Sequence, residues 1–212
     1  LKKFNTPFCT IVSDDDIVVG NYLNNVIKIF SNYKSVNIVN HELGNFFSKN
    51  FKNYKIYNAG IDSSSIAFNL SSVITGLSFR RSSLDFSKYP KNPDLVYTHV
   101  SFVLSATKKG QFAQIYNCGF KELKKFQPKN RDEEIKSIIK LANRQARPSD
   151  WGISELIKYV DKSNYNSYDK MKILQKKILW FCEISKIMPE KMYKNILKNT
   201  KNSLGNYFIF YY

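Results

Sequence analysis

Hydrophobic and polar positions change period several times along the chain, and each change predicts an element. Residues 6–13, Thr-Pro-Phe-Cys-Thr-Ile-Val-Ser, predict a buried strand that runs into Asp14-Asp15-Asp16. From about Gly20 to Tyr33 the apolar period lengthens, and Leu23, Val26, Ile27 and Phe30 fall on one face of a predicted helix. Ser35 to Val39 predicts a second short strand, whereas 44–57 is aromatic and basic without a clean period and reads as strand or loop. Asp62-Ser63-Ser64-Ser65 predicts a helix cap leading into 66–72, and Ile74 to Phe79 a strand that carries Thr75-Gly76 and ends in Arg80-Arg81.

Asn92-Pro93-Asp94 has the signature of a helix start, with an N-cap, proline at the first helical position and an acid in the first turn. That helix is expected to run to Lys108-Lys109, with Gly110 as its terminating glycine, and 111–116 to follow as a strand. Beyond Arg131 the pattern is helical over 131–146, 150–162, 167–187 and 189–200, punctuated by Pro148 and Pro189. Residues 207–212 form a strand-like aromatic tail. The pattern therefore predicts an α/β half over 1–125, followed by a helical, more basic region over 126–212.

Composition narrows the class. The chain has 212 residues, 43% hydrophobic and 15% aromatic, which supports a substantial core and excludes a disordered chain. Three cysteines without paired spacing, Cys9, Cys118 and Cys182, exclude a disulfide framework or a cysteine-ligated zinc. No apolar stretch is long enough to span a bilayer, and no secretory apolar region follows Leu1-Lys2-Lys3. The net charge of +16 is uneven: residues 1–120 hold thirteen basic and seven acidic side chains, residues 121–212 twenty and ten. Such a surface attracts phosphates of any kind, but a Lys- and Asn-rich composition has the same look in an AT-rich genome, so charge alone selects no partner.

The aspartate triplet carries more chemistry. Carboxylates about 4 Å apart repel by several kcal/mol at intermediate dielectric. A divalent cation relieves this, and Mg²⁺ or Mn²⁺ prefers hard oxygen ligands shared with substrate phosphates. Placed at the carboxyl end of a strand, where ligands of open α/β sheets bind, the triplet reads as a metal–diphosphate site. A solvent-exposed acidic turn is the plain alternative.

Phe8 to Asp16 resembles the strand and DxD-type motif of inverting, GT-A-fold glycosyltransferases of family 2, similar to those that build bacterial O-antigen and capsular polysaccharides. Ile74-Thr-Gly-Leu-Ser-Phe-Arg-Arg81 is similar to the family's small-residue strand ending in an aromatic and arginine, and Thr98 to Ala113 to the helix after its acidic pair. The resemblance spans about residues 5–120. It implies a partial GT-A-like mixed sheet with flanking helices, and a chain that is the carboxy-terminal part of a longer enzyme, without the upstream nucleotide-binding segment.

In roles carried over from the family, Asp14 and Asp15 contact substrate, Asp14 and Asp16 hold Mn²⁺ or Mg²⁺, and Gly76, Arg80 and Arg81 border the substrate. His99 stands where the family's helix has its acidic pair, which makes it the candidate general base, although it also falls on an apolar stripe where a core histidine is common. Neighbouring strand residues face opposite ways, so only one of Arg80 and Arg81 is expected at the site. His41 has no partner pattern and is expected at the surface or half-buried. The implied partners are a nucleotide-sugar donor and a glycan or lipid-linked acceptor. The implied location is cytoplasmic, with room for peripheral contact at the inner membrane face through the 170–187 helix. Nucleic acid is not an expected partner.

Two other classes compete. A non-catalytic basic module, either nucleic-acid-binding or a scaffold, fits the charge and the aromatics of 33–57 but has no motif of its own. An SGNH-like esterase is suggested by Asn58-Ala-Gly60 and Pro93-Asp-Leu-Val-Tyr97, yet the Gly-Asp-Ser nucleophile is missing and Arg147 stands where its histidine belongs.

Overall fold

A computed structural model describes residues 5–12, 16–41, 54–71, 74–88, 97–116, 118–122 and 153–185, with single positions at 130, 133, 136, 190, 194 and 198. The expected strands form, most of them shorter than their apolar runs. They are β1 (Phe8–Thr10), β3 (Val36–His41), β5 (Ser78–Arg80) and β6 (Gln111–Ile115), joined by β4 (Tyr54–Tyr57) from the segment without a clean period. A further pair, β2 (Asp16–Val19) and β7 (Gly119–Glu122), was not evident in the sequence pattern. Helices α1 (Tyr22–Asn32), α2 (Ile61–Leu70) and α3 (Thr98–Lys109) complete the α/β part, and α4 (Ile153–Asp161) and α5 (Ser167–Ser185) follow. Of the expected helices at 131–146 and 189–200 only Glu133, Lys136, Glu190, Lys194 and Lys198 are described, and these are helical. Helix α3 begins at Thr98 after the non-helical Tyr97, so it does not run unbroken from the expected start at Asn92, and the aromatic tail lies outside the described residues.

Five strands form one mixed sheet in the order β1-β5-β3-β6-β4. Only β3 and β6 pair in parallel; the β1–β5, β3–β5 and β4–β6 pairs are antiparallel. Hence β1, β3 and β6 run the same way and end at Thr10, His41 and Ile115, while β5 enters at that same edge. The class is α/β with a mixed sheet, as the alternating pattern predicts.

Each face of the sheet carries its own core. On one face Tyr22, Val26, Ile29 and Phe30 of α1 pack on Val36, Val39, Ala113 and Ile115. On the other, Ala67 of α2 and Phe102, Val103 and Ala106 of α3 cover Ile38, Phe79 and Phe112. A register shift between Val36 and Ile38 lets Val36 and Val39 share a face that strict alternation would deny them. The buried side of α1 differs from expectation: Leu23 and Ile27 are 42% and 54% exposed, and Tyr22 and Ile29 take their place. Helix α2 starts at Ile61, ahead of the expected cap, and the Ser63 hydroxyl donates instead to the Tyr57 and Asn58 carbonyls.

The chain divides into two compact units, Leu1–Lys91 with Thr98–Leu123, and Asn92–Tyr97 with Lys124–Tyr212. In the second, α4 and α5 pack on each other, and Leu156, Val160, Ile173, Leu174, Ile178 and Phe181 are buried. The Glu155 carboxylate accepts the Tyr97 N–H at 2.7 Å. Among the described residues no helix is long and apolar enough to cross a membrane.

Candidate functional site

The loop leaving β1 and the turn entering β5 meet at the carboxyl edge of the sheet. Their ladder continues one step past the strands: Ile11 N–H donates to Leu77 O at 3.0 Å, and Gly76 N–H to Ile11 O at 2.8 Å. This places Thr75 over the edge, where its hydroxyl donates to Asp16 Oδ2 at 2.5 Å. Thr75 is buried and Asp16 half-buried. Of the aspartate triplet, Asp14 and Asp15 lie outside the described residues.

Behind this contact sits His41, the last residue of β3. It is 2% exposed, so the expected surface position is corrected. Two glycines make room for its ring. A Cβ on Gly76 would lie 2.5 Å from His41 Cδ2 and 2.8 Å from Nε2; a Cβ on Gly119 would lie 2.5 Å from Cγ and 2.6 Å from Nδ1. Gly76 also has φ +85°, a conformation that side chains resist. Tyr22 meets the imidazole edge-on at 5.7 Å and Phe120 flanks it at 6.0 Å. The Tyr22 hydroxyl donates to the Gly76 carbonyl, and burial pushes its phenol pKa up. Gly76, expected to border substrate, is thus glycine for a reason inside the fold: it admits the imidazole.

The arginines stand at the other end of β5, about 13 Å from Gly76 for four residues at ~3.3 Å each. Arg80 pairs in register with Phe8, the first residue of β1. Its Nε donates to Val36 O at 2.9 Å, and its Nη2 to Phe30 O at 2.8 Å and Tyr33 O at 3.0 Å. Its guanidinium lies 5.2 Å from the centroids of both Phe8 and Phe30. Arg80 therefore gathers the end of α1 and the starts of β1 and β3. Arg81 borders a cleft of about 600 Å³ with Asn5, Thr6, Pro7, Ser82 and Phe86.

His99 is 5% exposed in the first turn of α3. Its Nε2 lies 2.6 Å from the Ser71 carbonyl, which can only accept, so Nε2 carries the proton and ties α3 to the end of α2. Burial lowers its pKa below the ordinary 6.5, with the Ser71 contact opposing. The unfolded chain therefore takes up this proton first. The associated stability is full above 6.5 and is lost as pH falls through that value towards the folded pKa, with a slope of up to about 1.4 kcal/mol per pH unit. Urea midpoints at pH 7.5 and 5.0 should fall more for the native chain than for His99→Gln, which donates without titrating. Equal falls would assign the acid sensitivity to other groups.

No protein-family profile matches the chain. Over 146 residues it is 25% identical to the UPF0200 protein Ta0179 of Thermoplasma acidophilum, covering 66% of this chain and 68% of that protein. Together with the site geometry, this overturns the glycosyltransferase reading. The curated similarity points to UPF0200 and not to glycosyltransferase family 2. Among the described residues, no group of three or more His, Cys, Asp or Glu side chains could hold a metal ion. The metal site expected from Asp14 and Asp16 is therefore not built by the described side chains: Asp16 is held by a threonine hydroxyl instead. No pattern near the triplet announces that hydroxyl, which comes from 59 residues downstream.

Proposed function

We propose that the α/β unit binds a phosphate-bearing small molecule at the carboxyl edge of its sheet, with Mn²⁺ or Mg²⁺ between the Asp16 carboxylate and the phosphate oxygens. The observation that carries this reading is the Thr75–Asp16 contact, which orients one carboxylate at the edge where the parallel strands β3 and β6 end. Asp16 alone does not make a metal site among the described residues, so a cation there would be held chiefly by the ligand's own oxygens. Mg²⁺ keeps several waters and takes one or two carboxylates plus substrate phosphates, so a single oriented Asp16 suffices only when the ligand completes the shell. When bound, the cation neutralises charge on those oxygens. Thr75 fixes the carboxylate, and the net charge of +16 draws anions towards the chain.

Equilibrium dialysis of inorganic pyrophosphate checks this. Retention should rise at least tenfold when Mn²⁺ is added, and Asp16→Asn should abolish the rise while leaving the urea midpoint close to native. Retention independent of Mn²⁺, or unchanged in Asp16→Asn, would reduce the reading to general attraction by surface lysines.

A further inference from the structure

We infer that the cleft at the opposite edge, between residues 5–7 and 80–86, is a second binding site, for a small molecule that joins a forked oxyanion, carboxylate or phosphate, to an aromatic or apolar body. The cleft, at about 600 Å³, lies within the range of small-molecule pockets. Its two arginines divide the work. Arg80 gives three hydrogen bonds to backbone carbonyls and is occupied by the fold. The Arg81 guanidinium makes no hydrogen bond or ion pair to a described residue, while its backbone is pinned on both sides: its N–H donates to Pro7 O at 2.9 Å, and its carbonyl accepts Leu84 N–H at 3.1 Å. A planar fork on an anchored backbone is suited to bidentate pairing with two oxygens.

The lining supplies the rest of the recognition. No carboxylate is among the described residues that border the cleft, and both guanidinium groups add positive charge to it. Asp85, next to it in sequence, accepts the N–H and the hydroxyl of Ser87. Phe86 is held edge-on to Phe102 at 5.7 Å and, with Pro7, gives an apolar wall against which a ring can lie. Asn5, Thr6 and Ser82 add hydrogen-bonding groups.

Phenyl phosphate carries both features and serves as the probe, with benzoate as the carboxylate counterpart and benzyl alcohol as the uncharged control. Titrated into the full chain and followed by amide NMR, phenyl phosphate should saturate a single site and shift the amides of Thr6, Ser82 and Phe86. Arg81→Gln and Arg81→Lys should each weaken it at least tenfold, since an ammonium offers no fork. Asp16→Asn should bind it like the native chain, which separates this site from the one at the carboxyl edge. No saturation by 10 mM, equal affinity for benzyl alcohol, retention within twofold in both Arg81 variants, or loss in Asp16→Asn would each overturn the assignment. Should Arg81→Gln fail to fold, the amide map of the native chain and the lysine variant decide the matter.

Discussion

Gly76→Ala is expected to destabilise the chain by about 2–5 kcal/mol, because two separate costs fall on one methyl group. The first is steric: the new Cβ would stand 2.5 Å from His41 Cδ2, 2.8 Å from Nε2 and 3.0 Å from Phe120 Cδ2. Overpacking of this kind costs about 1–3 kcal/mol. The second is conformational, since φ is +85° and a side chain in the left-handed region costs about 1–2 kcal/mol. Replacing His41 separates them. In a His41→Ala background the imidazole contacts vanish, and the conformational cost should persist together with the 3.0 Å approach to Phe120 Cδ2. Gly119→Ala should behave differently. One of its three closest approaches, 2.8 Å, is to His41 Cβ, which alanine retains, so relief there should be partial. Urea denaturation of the two double-mutant cycles reads both coupling energies. Strict additivity in both cycles would show that the imidazole is not what these glycines accommodate.

Arg80→Met should cost about 3–5 kcal/mol, although it keeps much of the stem that packs near Phe8 and Phe30. The Val36 and Phe30 carbonyls lose the guanidinium at once, and the Tyr33 carbonyl, which keeps the Val36 N–H, loses a second donor. A hydrogen bond from a charged group contributes about 1.5–3 kcal/mol, and an acceptor left dry adds its own penalty. Arg80→Lys should recover less than half, because one ammonium cannot replace the three bonds that a planar fork makes. Arg81→Ala, one residue later, should change stability by no more than about 0.5 kcal/mol. A comparable loss at both positions would refute this division of roles between neighbouring arginines.

That division was half legible in the sequence. Strand alternation predicts that Arg80 and Arg81 face opposite ways, but it does not apply: β5 ends at Arg80 and Arg81 opens a 3-10 turn. What holds Arg80 inward is the carbonyls of α1 and β3, more than forty residues upstream. The strands β3 and β6 and the lysine-marked end of α3 were readable because their signals are local: apolar alternation in the strands, a pair of cations and a glycine at the helix end. The buried face of α1 was misread for the opposite reason. Tyr22 scores poorly as an apolar residue, yet it is fully buried because its hydroxyl finds the Gly76 carbonyl, while the aliphatic Leu23 and Ile27 face outward. The β2–β7 ribbon pairs two four-residue segments about a hundred residues apart, and Asp16, which opens it, read instead as the end of an acidic cluster. Charge density around the triplet pointed to a cation, but the Thr75 hydroxyl that holds Asp16 leaves no trace near it in sequence.

The central strand has a consequence for biosynthesis. β3 is made early, yet both strands that flank it, β5 and β6, are made later, and its parallel partner occupies residues 111–115. As the nascent chain leaves the ribosome, β5 can cover one edge of β3 once Arg80 has emerged, but the edge that faces β6 must wait bare until Ile115 has emerged. Pairing across so long a separation is slow and leaves the growing chain open to aggregation. Stalled chains ending before β6 should therefore be captured by chaperones, and those extending well past it released.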